Sequence, residues 1–494
     1  MPGILFPLTN KGDRSTTAFN KDILLAAAAV LPGEEALCEK IKAEKDWRHK
    51  YCSHFMSLME AQVRAPLAKA LESFGAGLAR AHAMDFESSD AAIVPLGTVM
   101  AAPPLGGFDT ATIKGAGQAV EFEVPFAYNN CVLSGPSLDA QLNKWTSYGG
   151  MESDCAEAIK TGASKLDRIK DRTFVLIGAG SELCPLRQLL RAGATVAALA
   201  TRKPQRWEKL IEFARSTPGT LLLPVAPGAA TGTDSSIAQA AGADLMVDTP
   251  AISQWVLRIV QEARGPVTIG TYLYVDGGTN VCVTVASDYI IEAVTKIADK
   301  TKVSFAWLGS PSTAHVIPLR CVSAMQNTYE NARWWWKALF KTNYPSQVTT
   351  SNGSQASVFN GLQEIQGPNY AVAQHIRQWR AMLLYSEGFV VSAPMAPFCR
   401  TESVTHNTTL KAALDGLYYF PPLEAFHAET AAALLFAILV SDMVEAPPKL
   451  ASPLELFTLK SFHGGSWRTP FSFDSLGKAA FLLGKVGPQD TPNK

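Results

Sequence analysis

Apolar and polar positions change rhythm repeatedly along this chain, and the sharpest change lies between Thr173 and Lys203, TFVLIGAGSELCPLRQLLRAGATVAALATRK. Phe174 to Ile177 is an unbroken apolar run, the pattern of a strand buried on both faces, and Val196 to Leu199 repeats it. Between them Gly178 and Gly180 mark a tight turn, and Pro185 suits the first turn of a helix, where a missing N–H costs nothing. The segment therefore predicts strand, glycine turn, helix and strand, a βαβ unit.

The same alternation continues downstream. Apolar runs at Thr220 to Val225, Asp244 to Val247, Val267 to Val275 and Val303 to Leu308 predict four more strands. Helical spacing predicts helices between them at Trp207 to Ala214, Ser235 to Ala241, Ala251 to Ala263 and Ala286 to Lys300. Six strands with helical crossovers predict an α/β fold with a doubly wound parallel sheet, a Rossmann-like core, over residues 166–315. Residues 1–165 read as a mixed, largely helical region, with helices at Lys21 to Val30, Glu34 to Lys45 and His54 to His82, the last interrupted by Pro66. Ala91 to Met100 and Val120 to Ala127 are more strand-like, and residues 316–494 are mainly helical.

Composition narrows the class. A chain of 494 residues is too long for one core, so two or three domains are expected. With 47% hydrophobic and 18% charged residues it is a well-packed globular protein, and a net charge of +0 supplies no field to attract nucleic acid. Eight cysteines without a CxxC pair suit a reducing compartment, cytoplasmic or other, rather than a disulfide scaffold. The longest apolar runs, Ile23 to Leu31 and Ala431 to Val440, are too short to span a bilayer, so a soluble protein without a transmembrane segment is expected. The eight histidines show no HExxH or comparable spacing, and no metal site is expected.

The candidate chemistry starts at the glycine turn. A strand followed by GxG and a helix presents backbone N–H groups to a pyrophosphate, which makes Gly178, Gly180, Ser181, Glu182 and Leu183 the candidate cofactor-facing turn. Leu183 occupies the third glycine position of the full fingerprint. The second strand ends in Thr201, Arg202 and Lys203, where an NAD binder carries an acidic residue on the ribose diol. A cation there suits a 2′-phosphate, so NADP(H) is favoured over NAD(H). The cleft lies at the carboxyl ends of the strands, lined by Pro224 to Gly228, with Pro227 a candidate contact, and by Asp248 and Asp276 to Gly278.

With these features the central region resembles the short-chain dehydrogenase/reductase superfamily. That resemblance implies a Tyr and a Lys four residues apart on the helix after the fifth strand, and no such YxxxK stands there. Tyr289 and Lys296 do stand on the expected helix, seven residues apart and so on one face. The spacing is similar to the Tyr-x6-Lys of the enoyl-reductase branch, which implies Lys296 on the ribose hydroxyls and Tyr289 as donor to a developing oxyanion. Tyr272 or Tyr274 would supply that branch's aromatic residue, with Tyr274 the candidate retained.

Two functions follow. One is an NADP(H)-dependent oxidoreductase acting on a carbonyl or enoyl group of an apolar small molecule. The other is a non-catalytic dinucleotide-binding sensor or a component of a larger complex, supported by the missing YxxxK. A scaffold that binds no nucleotide is a third, and a homo-oligomer is left open. Two further polar clusters, Arg400 to Asn407 and Phe462 to Arg468, each set a histidine beside hydroxyl, amide or guanidinium groups. Helix capping is the simpler account of Ser403 to Asn407. Trp334 to Trp336 cannot all face one core, and at least one is expected to meet another surface.

Overall fold

The seven-stranded sheet at the centre assembles from all three regions of the chain. The computed structural model describes residues 3–103, 106–127, 130–446 and 448–487. In chain order the strands are β1 (Asp109–Lys114), β2 (Thr173–Ile177), β3 (Thr195–Leu199), β4 (Thr220–Val225), β5 (Val267–Thr271), β6 (Val303–Ala306) and β7 (Val390–Ser392). They lie in the order β7-β6-β5-β2-β3-β4-β1. All neighbours pair in parallel except β1, which runs antiparallel to β4.

Successive side chains of a strand point to opposite faces, and here each face meets its own core. Phe174, Leu176, Val196 and Ala198 pack with the helices Leu186–Arg191, Pro204–Arg215 and Ala428–Val444. Val175, Ile177, Ala197 and Leu199 face the helices Thr249–Glu262 and Gly277–Thr295. That second core runs on through the N-terminal helices Thr16–Ala29, Trp47–Arg64 and Leu67–Ala81 and the helix Pro368–Ser386, so one apolar cluster reaches from Ile4 to Ala480. The break between Arg64 and Leu67 falls at Pro66, which cannot donate the helical bond.

Several elements differ from the sequence expectation. Asp244 to Val247 is a turn rather than a strand: the Asp244 carboxylate accepts the Met246 N–H at 2.8 Å, and the Asp248 carboxylate accepts the Asp244 N–H at 2.7 Å. Short carboxylate side chains thus bend an apolar run that would otherwise extend. The sixth parallel strand is instead β7, drawn from the C-terminal region. The helix expected at Ala286 begins at Gly277, because Asn280 to Asp288 is buried all round and packing overrides the low helix propensity of its β-branched residues.

The helix Ala428–Val444 is also buried around its circumference. Among the described residues no helix is long and apolar enough to cross a membrane. Of the three tryptophans, Trp336 packs on Phe420 with ring centroids 5.2 Å apart, whereas Trp334 is 80% exposed.

Candidate functional site

The reversal of strand order between β2 and β5 opens the sheet's carboxyl edge at the turn Gly178 to Pro185. Gly178 has φ +86°, and a Cβ there would lie 2.9 Å from the Leu273 nitrogen, so the approach of the chain after β5 already demands glycine. Gly180 is different. It is exposed, and a Cβ would meet only the Ala200 Cβ at 4.0 Å, so protein packing leaves space above its backbone.

Much of the turn's donor capacity is used internally. The N–H groups of Gly178 and Ala179 both donate to the Leu199 carbonyl, at 3.1 and 2.9 Å, and that of Ser181 to Gly178 at 3.0 Å. Glu182 reaches the C-terminal region, its carboxylate accepting the Glu402 N–H at 2.7 Å. Leu183 lines a cavity of only about 10 Å³ with Tyr272, Trp307 and Phe436. The helix expected directly after the glycines starts only at Leu186 and ends at Arg191, so it is too short to aim a full helix dipole at a phosphate. The sequence expectation of a helix N-terminus on GxG is corrected on this point.

The basic turn after β3 sits beside it, tied through the same Leu199 carbonyl. Thr201, Arg202 and Lys203 are exposed. The Thr201 carbonyl accepts the Trp207 indole N–H at 3.1 Å, and Lys203 precedes the helix Pro204–Arg215. Arg202 pairs with Asp248 at 2.7 Å and lies over the Phe108 ring, 5.9 Å from its centroid. Pro227 is exposed in the turn beyond β4, where the Gly228 N–H donates to Asp109 at 2.7 Å. The structure therefore gathers the glycine turn, the basic turn and Pro227 on one edge, and adds Phe108 and Asp109, which carried no signal in the sequence.

Tyr289 and Lys296 do not join them. Their helix starts at the carboxyl end of β5 and runs away from it, so Tyr289 lies about 18 Å along the axis from Gly277 at 1.5 Å per residue. The Tyr289 hydroxyl donates to the His82 carbonyl at 2.9 Å, and its ring stacks on the His82 imidazole with centroids 3.8 Å apart. Burial pushes its phenol up to about 12. Lys296 is 70% exposed and pairs with Glu292 at 3.5 Å. The pair expected to hold ribose and oxyanion is turned onto the N-terminal helices and into solvent. Tyr274, beyond the end of β5, donates to Asp276 at 3.3 Å, and burial raises its phenol to about 12.

The two C-terminal clusters resolve into structural roles. Asn407 caps the helix Thr408–Gly416, its side chain accepting from Thr409 and Leu410 N–H groups, and Arg400 pairs with Asp415 at 2.7 Å. His463 and Arg468 point inward to Glu152, whose side chain is 1% exposed. It accepts from His463 Nε2 and Arg468 Nε at 2.9 Å each and from Arg320 Nε at 2.5 Å. Burial alone would raise this carboxyl, but His463, Arg468 and Arg320 together hold it well below the usual carboxylate range. Glu152, Cys321 and His463 offer metal-ligand atoms within 4.8 Å of one another. Those atoms are already engaged: His463 Nδ1 accepts the Gly465 N–H, Nε2 donates to Glu152, and two guanidiniums face the carboxylate that a cation would need.

Comparison of the chain with protein-family models and with curated proteins gave no match.

Proposed function

We propose that the chain binds a dinucleotide over the carboxyl ends of β2, β3 and β4, NADP(H) in preference to NAD(H), in the manner of the short-chain dehydrogenase/reductase superfamily that its central region resembles. The observation that carries this reading is the strand order: counted from the glycine-turn strand β2, the six parallel strands run 3-2-1-4-5-6, the doubly wound order whose switch point takes a dinucleotide. Gly180 supports it, since its missing Cβ serves no neighbour and leaves room for a close pyrophosphate. Arg202, held over Phe108 by Asp248, is the group for a 2′-phosphate, which would compete with that carboxylate for the guanidinium.

Hydride transfer to a carbonyl or enoyl group of an apolar substrate requires a proton donor at the nicotinamide. The Tyr289 contact with His82 favours the other class: a nucleotide-binding protein that senses or assembles without tyrosine–lysine chemistry.

The test is a titration of the full chain with NADPH and with NADH, followed by nicotinamide fluorescence. NADPH binds more tightly, and Arg202→Ala weakens NADPH alone, tenfold or more, as the loss of charge-assisted hydrogen bonds worth about 1.5–3 kcal/mol requires. Tyr289→Phe leaves both affinities unchanged. Absence of binding by both nucleotides sinks the reading.

A further inference from the structure

A second site lies beyond the carboxyl end of β5, next to the glycine turn, and its argument does not rest on nucleotide binding. Three helices, Thr16–Ala29, Gly277–Thr295 and Pro368–Ser386, begin at the wall of one cavity of about 330 Å³. The first N–H groups of a helix have no intrahelical partner, and each N-terminus carries the equivalent of about half a positive charge. Neither of the two longer helices has a side-chain cap. At the third, Ser15 accepts only the Ala18 N–H, and Thr16 and Thr17 follow it along the wall. Arg48, anchored by the Glu364 carbonyl, adds a full charge at the rim.

An independent observation lies directly behind the wall. Arg377 is 9% exposed, and among the described residues no carboxylate pairs with it. Its Nη2 donates to neutral partners only, Asn280 Oδ1 at 3.1 Å and Thr284 Oγ1 at 2.8 Å, and its Nε has no partner. Burial lowers the guanidinium only to about 10, so it is charged at neutral pH. A buried cation without a counter-charge is costly, and folds retain one where something else supplies the anion. Asn280 connects the two observations. It is 1% exposed, lines the cavity and gives its oxygen to Arg377, and among the described residues no acceptor is bonded to its amide N–H groups.

We propose that this cavity binds the phosphate group of a small phosphate monoester. Three helix starts and the Asn280 amide surround a tetrahedral oxyanion better than a planar carboxylate, which offers only two acceptor oxygens. Arg377 is the buried counter-charge, and Arg48 closes the open side. Asp276, the acidic side chain on the wall, is outweighed by two guanidiniums and three helix N-termini, and it accepts from Tyr274. The rings of Tyr274 and Tyr370, with centroids 6.3 Å apart, give the organic part of the ligand an apolar face.

The test is calorimetric titration of the full chain with phenyl phosphate, inorganic phosphate and benzoate at low ionic strength. Phenyl phosphate binds more tightly than inorganic phosphate, and benzoate binds at least tenfold more weakly. Arg48→Ala, an exposed position that leaves the fold intact, weakens phenyl phosphate tenfold or more. Asn280→Asp places a carboxylate beside Arg377, which abolishes binding and raises the melting temperature of the free protein. Equal affinity in wild type and Arg48→Ala, or benzoate binding as tightly as phenyl phosphate, overturns the proposal. Loss of NADPH binding in Arg48→Ala would assign the cavity to the nucleotide site and overturn it as a separate one.

Discussion

Glu152→Gln tests how the first and last regions of the chain are held together. Glu152 immediately precedes the helix Ser153–Ser164, and its donors, the charged groups of Arg320 and Arg468, His463 and the Cys321 thiol at 3.4 Å, come from far along the sequence. Glutamine keeps the volume and one acceptor oxygen but replaces the other with an N–H2 that faces donors. Removing one partner of a buried ion cluster costs about 3–5 kcal/mol, because the remaining charges stay desolvated. Arg320 is half exposed, so water recovers part of its share and the expected loss is about 3 kcal/mol. Arg320→Met alone should cost under about 1 kcal/mol for the same reason. Urea is the denaturant to use, since it does not screen charge, and Trp467, stacked on His463 at 5.2 Å, reports local unfolding by fluorescence. The pH dependence has a definite sign. The carboxyl is depressed in the fold, so its contribution is complete above the unfolded value near 4.5 and is lost progressively as pH falls below it. The gap between wild type and Glu152→Gln should therefore narrow below about pH 4.5. A loss smaller than about 1 kcal/mol at pH 7, or equal losses for Glu152→Gln and Arg320→Met, would refute the reasoning.

Burial pushes the imidazoles of His315 and His375 down from 6.5 to about 4, so both are neutral in the fold while the unfolded chain takes up protons. Stability should rise with pH between about 4 and 6.5, by up to about 1.4 kcal/mol per pH unit for each histidine, and His375→Phe should flatten that slope in urea midpoints measured across the window. At Gly162 a Cβ would sit 1.8 Å from the Ala437 carbonyl oxygen, so Gly162→Ala must separate two packed helices and should cost about 1–3 kcal/mol in thermal unfolding. An unchanged melting temperature would mean that the helix contact is looser than the structure shows.

Much of the sheet was legible because strands buried on both faces leave unbroken apolar runs, as in Phe174 to Ile177 and Thr220 to Val225. The edges were not. β7 is three residues long, and β1 shows only Ala111 and Ile113 as its buried alternation, so neither stands out locally although each completes an edge. The site was partly legible for a related reason. A glycine turn and a basic turn announce themselves in sequence, and Asp248 was expected on the cleft wall, but its pairing with Arg202 is set by a turn that overrode an apolar run. The largest displacement came from one helix. Its apolar, β-branched first half suggested a start at Ala286, whereas burial by neighbouring helices carries it back to Gly277. That shift of nine residues moves the helix start by about 14 Å, and with it the residues that can face a ligand. Counted from Ala286, Tyr289 falls in the first turn and looks catalytic. Counted from Gly277, the first turn instead presents Asn280, with Arg377 behind it and a cavity in front. The chemistry open to this helix is thus set by long-range burial rather than by the spacing of Tyr289 and Lys296.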